Sequence, residues 1–235
     1  MKRIAEKIIL ALVILASTVG LLSPTSAETP KLVQFQMALL KQGPKPAALQ
    51  SSEAWNIHTR VDAYQAAMSW SRRAVITGTL GGDSDILAVA IFRAQSADEV
   101  RTWTDPATKT GEFVLEMHPW WSEDIFKKAN SPIKLETVYL GFLKKGPNRK
   151  DGDDQVPEIQ ELQKAHIANI NRLAGLKKLI VAGPFGDDGV LRGIFVFRVS
   201  SLAEAQELCA TDPMIKIDRL RVELHPWNVP EGVLP

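Results

Sequence analysis

The second half of the chain contains the few residues whose types and spacing suit chemistry better than packing. His166 lies in a segment where Ile159, Leu162, Ile170 and Leu173 recur at the three- and four-residue spacing of an amphipathic helix, so its imidazole falls on the apolar stripe. A histidine in a partly apolar pocket beside a carboxylate suits general acid or base catalysis, because imidazole titrates nearest neutral pH. A hydrogen-bonded core histidine produces the same pattern, so both interpretations stay open.

Four further pieces of sequence accompany His166. The glycine of an Ala-Gly-Pro turn follows it by seventeen positions, a Ser-x-x-Glu-Ala segment opens a second helix, an Asp-Pro pair comes next, and the final strand ends in Pro-Trp. The pieces are Ala182-Gly183-Pro184, Ser201 to Ala205, Asp212-Pro213 and Pro226-Trp227. In this order they resemble the YCII-related family.

The resemblance implies a ferredoxin-like α+β domain that pairs through its sheet and carries a proposed histidine–aspartate dyad. By position the dyad is His166 and Asp212, the catalytic candidates, and the turn residues Gly183 and Pro184 are candidates for substrate binding. The better understood relatives are dehydrochlorinase-like enzymes of aromatic degradation. The implied activity is therefore lyase- or isomerase-type proton transfer on a small organic molecule, without a cofactor. A non-catalytic binding or structural protein with a vestigial dyad is the alternative.

Neither a nucleophile motif nor a metal motif accompanies the dyad in the sequence. No serine or cysteine stands in a G-x-S-x-G segment, and Cys209, the only cysteine, lies one turn after Ala205 on a predicted helix, where a small buried residue is expected. Asp151, Asp153 and Asp154 resemble a calcium loop but lack its glutamate at the twelfth position. We therefore predict proton transfer and no metal.

The N-terminal residues 1–27 are typical of a secretory signal. Lys2, Arg3 and Lys7 precede an apolar run over residues 8–22, and small residues end at Ala27. Cleavage there would leave 25 basic and 26 acidic side chains, which is no nucleic-acid footprint. We predict a periplasmic or secreted protein that leaves the membrane on cleavage, with an uncleaved N-terminal anchor as the alternative.

An internal repeat divides the rest of the chain. Five segments recur at an offset of 103 to 107 residues. They are residues 35–44 with 138–147, 91–93 with 196–198, 96–99 with 201–204, 105–106 with 212–213, and 116–120 with 223–227. The sequence thus predicts a duplicated domain.

Each copy has the pattern strand, helix, strand, strand, helix, strand, which predicts two tandem ferredoxin-like (βαββαβ) α+β domains. We place them at residues 33–121 and 137–228, with a linker at 122–136 and a tail at 229–235. We predict that they pack sheet to sheet as an intramolecular pseudo-dimer; two separate domains that each pair with another molecule are the rival, and further oligomerisation stays open.

The last strand of each copy alternates between apolar and polar residues. Leu220, Val222 and Leu224 are expected to face the helices, as are Phe113, Leu115 and Met117 in the first copy. The opposite side would then line the inter-sheet space with polar side chains that bind a small-molecule ligand, namely Glu116, His118, Glu223 and His225. A metal site from both copies competes with this interpretation, and Trp120, Trp121 and Trp227 are expected to pack.

Of the helix histidine, the Ala-Gly-Pro turn and the Asp-Pro pair, the first copy lacks the first two. The position equivalent to His166 is Val61, on a stripe with Ile57, Tyr64 and Met68, and Thr77-Gly78-Thr79 replaces the Ala-Gly-Pro turn. Only its Asp-Pro pair at 105–106 is retained. We predict that the first copy is a degenerate structural partner of the second.

Overall fold

The computed structural model describes residues 31–43, 61, 73–82, 84–108, 111 and 113–235. Its strands are β1 (Leu32–Gln42), β2 (Ala74–Leu80), β3 (Ile86–Phe92), β4 (Phe113–Glu123), β5 (Leu135–Lys145), β6 (Leu179–Pro184), β7 (Leu191–Phe197) and β8 (Leu220–Pro230). Its helices are α1 (Ala97–Thr108), α2 (Pro157–Gly175), α3 (Leu202–Cys209) and α4 (Pro213–Lys216), and a 3₁₀ turn spans Asp153–Gln155.

The eight described strands form one antiparallel sheet in the order β4-β1-β3-β2-β8-β5-β7-β6. The first four strands in this order come from the first half of the chain and the last four from the second half, with the same relative order in each. The sheet curls until its edge strands meet: Trp120 of β4 bridges Phe185 just after β6, and the Gly186 N–H donates to the Pro119 carbonyl at 2.7 Å. The structure is therefore a mixed α/β fold with a curled antiparallel sheet.

Each face of the curled sheet packs against a different hydrophobic core. The inner face packs side chains of both halves against each other, including Phe35, Trp120, Phe142 and Trp227, all 1% exposed or less. The outer face of the second half packs under α2, α3 and α4, with Phe195 and Phe197 at its centre. Strands buried on both faces have continuous apolar runs, as β3 does with Ile-Leu-Ala-Val-Ala-Ile-Phe.

The expected alternation in the last strands is confirmed, and the inner space that their polar side faces is more apolar than expected. Leu220 lies in the outer core and Phe113 in the equivalent outer core of the first half, so the glutamate and histidine side does face inward. The inner space is nevertheless mainly apolar, because β1 and β5 direct large side chains to the same face. Trp120 and Trp227 fill it as packing residues, as the sequence indicated.

The helix starts follow their sequence signals. Pro157 occupies the first turn of α2, where its missing N–H leaves no hydrogen bond unmade. The Ser201 hydroxyl accepts from the Glu204 N–H at 3.1 Å, and the Glu204 carboxylate accepts in return from the Ser200 N–H at 2.9 Å. Ser96 accepts equally from the Glu99 N–H at the start of α1.

One end of the curled sheet is closed by the segment between β4 and β5 together with the C-terminal residues. Phe126 packs on the inner core, and Val233 and Leu234 are each 4% exposed within it. The Lys127 N–H donates to the Val233 carbonyl at 2.9 Å, which joins the two segments. Residues between and after the halves therefore complete the inner core.

Some predicted features lie outside the described residues. These are the signal at 1–27 and most of the first helix of the first copy, of which the structure describes only Val61, helical and 2% exposed. Within the described part of the chain, none of the helices combines the length and apolar character needed to cross a membrane.

Candidate functional site

The structure brings His166 and Asp212 into direct contact. His166 projects from α2, Asp212 immediately precedes α4, and Nδ1 of the imidazole lies 2.6 Å from Oδ2 of the carboxylate. His166 is 7% exposed and Asp212 is fully buried. Because an ionised carboxylate can only accept, Nδ1 carries the hydrogen of this bond and the neutral ring keeps its lone pair on Nε2. None of the described residues provides a hydrogen-bond partner for Nε2.

Asp212 has a second task that fixes its position. Its other oxygen, Oδ1, accepts from the Met214 N–H at 2.9 Å and so caps the N-terminus of α4. Pro213 at the first position of that helix needs no such partner. The carboxylate is held by one oxygen to the backbone and by the other to the imidazole, which orients the ring.

The surroundings of the dyad are apolar. The His166 ring stacks on Phe195 of β7, with ring centroids 6.1 Å apart and an interplanar angle of 28°. Cys209 of α3 is 2% exposed, and burial, with a smaller contribution from the Asp212 charge, raises the pKa of its thiol to about 12. The expectation of a small, buried Cys209 is confirmed, and its protonated thiol is no nucleophile near neutral pH.

A polar network adjoins the dyad between α2 and the residues before α4. Asn169 lies three residues after His166, and Thr211 is the chain neighbour of Asp212. The Asn169 Oδ1 accepts from Arg172 Nη2 at 2.8 Å and lies 3.1 Å from Thr211 Oγ1. Asn169 Nδ2 is buried and has no partner among the residues that the structure describes.

Gly183 and Pro184 lie at the end of β6, where the edge strands of the curled sheet meet. The Gly183 carbonyl accepts from Trp120 Nε1 at 3.2 Å, and a Cβ added at Gly183 would overlap the Trp121 carbonyl oxygen. Close backbone approach thus accounts for the glycine. The substrate-binding role of the two residues stays a prediction.

Glu116 and His118 lie on β4 in a network that joins the two halves. His118 Nδ1 is 2.6 Å from Asp187 Oδ2 in the β6–β7 loop, and its Nε2 is 2.9 Å from Glu116 Oε1. Lys41 donates to Glu116 at 2.8 Å; this hydrogen bond, opposed in part by burial and supported by His118, lowers the pKa of Glu116. Both nitrogens of this imidazole face carboxylates, so only the imidazolium form donates to both at once.

Glu223 and His225 occupy the equivalent positions on β8. His225 Nε2 lies 2.8 Å from Glu223 Oε1, and Lys144 donates to the same carboxylate. The Lys144 bond lowers the pKa of Glu223 in the same way. Within the described residues no three His, Cys, Asp or Glu side chains converge as metal ligands. Ligand binding by these four residues stays a prediction.

The acidic loop before α2 is occupied by basic side chains. Asp153 pairs with Arg219, whose side chain is 3% exposed, and Asp154 accepts from Arg149 at 2.9 Å. Asp151 accepts from Lys145 at 2.5 Å. The burial of Arg219 follows from this ion pair, which it forms with a loop 66 residues away in the chain.

Three residues of these networks were not anticipated from the sequence. Asn169 follows His166 by three positions and Thr211 adjoins Asp212, so helical spacing and adjacency could have indicated both. Asp187 gave no such signal. Its contact with His118 depends on how the curled sheet closes, which no local pattern specifies.

The fold of this chain is similar to that of solved structures. A mutant chlorite dismutase from Candidatus Nitrospira defluvii superposes with a TM-score of 0.50 at 11% identity, covering 86% of this chain and 92% of that one. A heme-binding protein from Thermus thermophilus gives 0.47 at 14% identity, covering 86% and 93%. At 11% identity the first likeness establishes only the fold, which is chlorite dismutase-like.

The sequence comparison then identifies one part of the chain. Residues 147–228, which include His166 and Asp212, match the family model of the YCII-related domain. No curated protein matches the chain in sequence.

Proposed function

We propose that the YCII-related half catalyses proton transfer on a small organic molecule, with His166 as the base and Asp212 as its orienting partner. The observation that carries the proposal is the 2.6 Å contact of Nδ1 with Asp212, which leaves Nε2 as the free, basic nitrogen. The apolar stack on Phe195 strengthens the electrostatic effect of the carboxylate on the ring. The neutral Cys209 thiol argues against a covalent thiolate mechanism.

The reaction class follows from the groups present. One base with an orienting carboxylate supports removal of a proton from carbon or oxygen, followed by elimination or by return of the proton at another atom. Isomerisation and dehydrochlorinase-like elimination both fit this scheme. Acyl transfer does not, because it needs a nucleophile beside the base.

The test is an NMR measurement of the His166 ring nitrogens during titration with phenol and with 4-chlorophenol. We expect the Nδ1–H tautomer in the wild type and a change in the Nε2 signal when either phenol is added. His166→Gln should remove the response, while Asp212→Asn should alter the tautomer and weaken the response. Asp187→Asn, which disturbs the other histidine–aspartate contact, is the matched control. A His166 signal that neither phenol moves would count against the proposal.

A non-catalytic binding or structural role is the second candidate. It is favoured by the complete burial of Asp212 and by its capping of α4, which give the carboxylate a structural reason to be there. The two functions differ in one measurable respect. A proton-transfer site exchanges substrate hydrogen with solvent, so incubating enolisable ketones in D₂O with wild-type protein and with His166→Gln distinguishes them. We expect exchange to be at least about 100-fold slower in the variant.

We further propose that the two halves are a fused pair of ferredoxin-like units, in effect an intramolecular pseudo-dimer. The common strand order, β4-β1-β3-β2 and β8-β5-β7-β6, supports this, as does the inner core built from both halves. A monomeric mass in analytical ultracentrifugation is the expected result. A stable dimer would favour pairing between molecules instead.

We also propose that the protein is exported and cleaved after Ala27, on the basis of the N-terminal sequence. Intact-mass measurement of the protein from cellular fractions tests this. We expect a chain beginning at Glu28 outside the cytoplasm, and recovery of the uncleaved chain with the membrane would support an anchor.

A further inference from the structure

Asn169 presents a hydrogen-bond donor that the protein leaves unused beside the dyad. It lies one turn after His166 on α2, so the two side chains project from neighbouring positions on the same helix face. Arg172 donates to Oδ1 at 2.8 Å, which fixes the amide with its oxygen toward the guanidinium and its NH₂ group away from it. That nitrogen, Nδ2, is buried and unpartnered among the described residues.

A buried N–H without an acceptor is unfavourable, and native proteins contain few of them. In the free protein a water could accept from this N–H. A bound molecule that displaces the water would supply an acceptor in its place. This donor lies close to the dyad in the structure. Thr211 Oγ1 lies 3.1 Å from Asn169 Oδ1, and Thr211 immediately precedes Asp212 in the chain. The Arg172 charge on the oxygen side polarises the amide and strengthens its N–H as a donor.

We propose that Asn169 Nδ2 binds the substrate oxygen on which negative charge develops when His166 removes a proton. This rests on the proposed function and deepens it, because it specifies the substrate class: a small carbonyl compound with an acidic C–H next to the carbonyl, or its enol or phenol counterpart. His166 and Asn169 then have complementary tasks, one for the proton and one for the charge.

The step balances without a further reactant. The C–H bond beside the carbonyl breaks, its proton moves to His166 Nε2, and the bonding pair forms the carbon–carbon double bond of an enolate. The negative charge rests on the former carbonyl oxygen, where the Asn169 N–H bond strengthens as the charge grows. The imidazolium returns the proton to either end of the enolate, which gives the starting compound or an isomer of the same composition.

Phenols test the proposal because a phenolate resembles the enolate in charge and geometry. Dissociation constants of phenol, 4-chlorophenol and 4-nitrophenol are measured for the wild type, Asn169→Ala and Asn169→Asp. We expect binding to weaken about tenfold or more in Asn169→Ala and further in Asn169→Asp, which keeps an oxygen toward Arg172 but exchanges the donor for a second acceptor. In the wild type, the Asn169 side-chain NH₂ signals should shift in the complex.

Asn171→Ala is the matched control, since Asn171 is an exposed asparagine on the same helix. Its phenol affinities should equal those of the wild type. Unchanged affinity in Asn169→Ala, with His166 still responding to phenol, would overturn the role of Asn169 and leave the proton-transfer proposal standing. A wild-type His166 that responds to none of the three phenols would overturn both. If a variant with lower phenol affinity keeps the wild-type NMR signals of His118, it is folded. The loss of affinity is then due to the missing Asn169 N–H donor.

Discussion

Two histidine–aspartate pairs with the same nitrogen–oxygen distance lie in different parts of this molecule. His166 and Asp212 meet at 2.6 Å within the second half, and His118 and Asp187 meet at 2.6 Å across the two halves. The first pair leaves one ring nitrogen without a partner among the described residues. In the second pair, Glu116 occupies the other nitrogen at 2.9 Å.

The difference shows that a short histidine–aspartate contact does not by itself define a catalytic dyad. A base needs an accessible lone pair. The His118 ring has none while its two nitrogens donate to the carboxylates of Asp187 and Glu116. Its network, extended by Lys41 to Asp85 at 3.1 Å, instead links strand ends of the first half to a loop of the second. His166 Nε2 and the nearby Asn169 Nδ2 lack protein partners among the described residues, so they suit ligand binding better than the His118 network does.

The largest expected difference between the two pairs is the loss of protein stability when each aspartate is replaced. Asp212→Ala removes a fully buried carboxylate that both caps α4 and pairs with His166, and we expect it to lower the free energy of unfolding by about 3 kcal/mol. Asp187→Ala removes a partly exposed carboxylate, and about 1 kcal/mol is expected. Urea denaturation of both variants provides the comparison.

Asp212→Asn separates the two tasks of the buried carboxylate. Asparagine caps helices nearly as well as aspartate, so this variant should recover at least about 0.5 kcal/mol relative to Asp212→Ala. Equal losses in Asp212→Ala and Asp187→Ala would mean that the two pairs contribute alike, and the distinction drawn from their burial would fail.

The contact between the edge strands can be disturbed without touching either pair directly. A Cβ at Gly183 would overlap the Trp121 carbonyl oxygen and crowd the Trp120 indole, so Gly183→Ala should cost about 2 kcal/mol in unfolding free energy. It should also shift the NMR signals of His118, whose partner Asp187 lies on the far side of this contact, and leave those of His166 nearly unchanged.

Gly175→Ala is the control for this substitution. Gly175 ends α2, and a Cβ there meets nothing within 4 Å, so the variant should be neutral or up to about 0.5 kcal/mol more stable. If Gly183→Ala moves the signals of both histidines equally, the two pairs are coupled through β6 rather than independent.

Much of the second half could be predicted from sequence because its signals are local. Helical spacing placed His166 on the inward face of α2, Ser201 and Glu204 marked the start of α3, and the alternation around Leu220 assigned the faces of β8. The pairing of His166 with Asp212, 46 residues apart, was expected from family resemblance and not from spacing.

What could not be predicted depends on how the sheet closes. The contact of His118 with Asp187 and the apolar inner core arise only when β2 pairs with β8 and the edge strands meet, and that register is a tertiary property. Arg219 shows the same limit, since a period-2 pattern cannot anticipate an ion pair with a distant loop. Local patterns therefore predicted faces correctly but not the partners across them.

The smallest expected effect concerns the carboxylate that occupies the second nitrogen of His118. Because Lys41 lowers the pKa of Glu116 in the folded state, this pairing stabilises the fold above the unfolded pKa near 4.5 and is lost as the pH falls through the lowered folded value. Glu116→Gln should cost only about 0.5 kcal/mol at neutral pH, since solvent screens this half-exposed pair, and the difference from wild type should vanish in acid. Urea denaturation of both proteins from neutral to acidic pH measures it. A difference independent of pH would mean that Glu116 acts through packing, and the charged network that distinguishes His118 from His166 would lose its support.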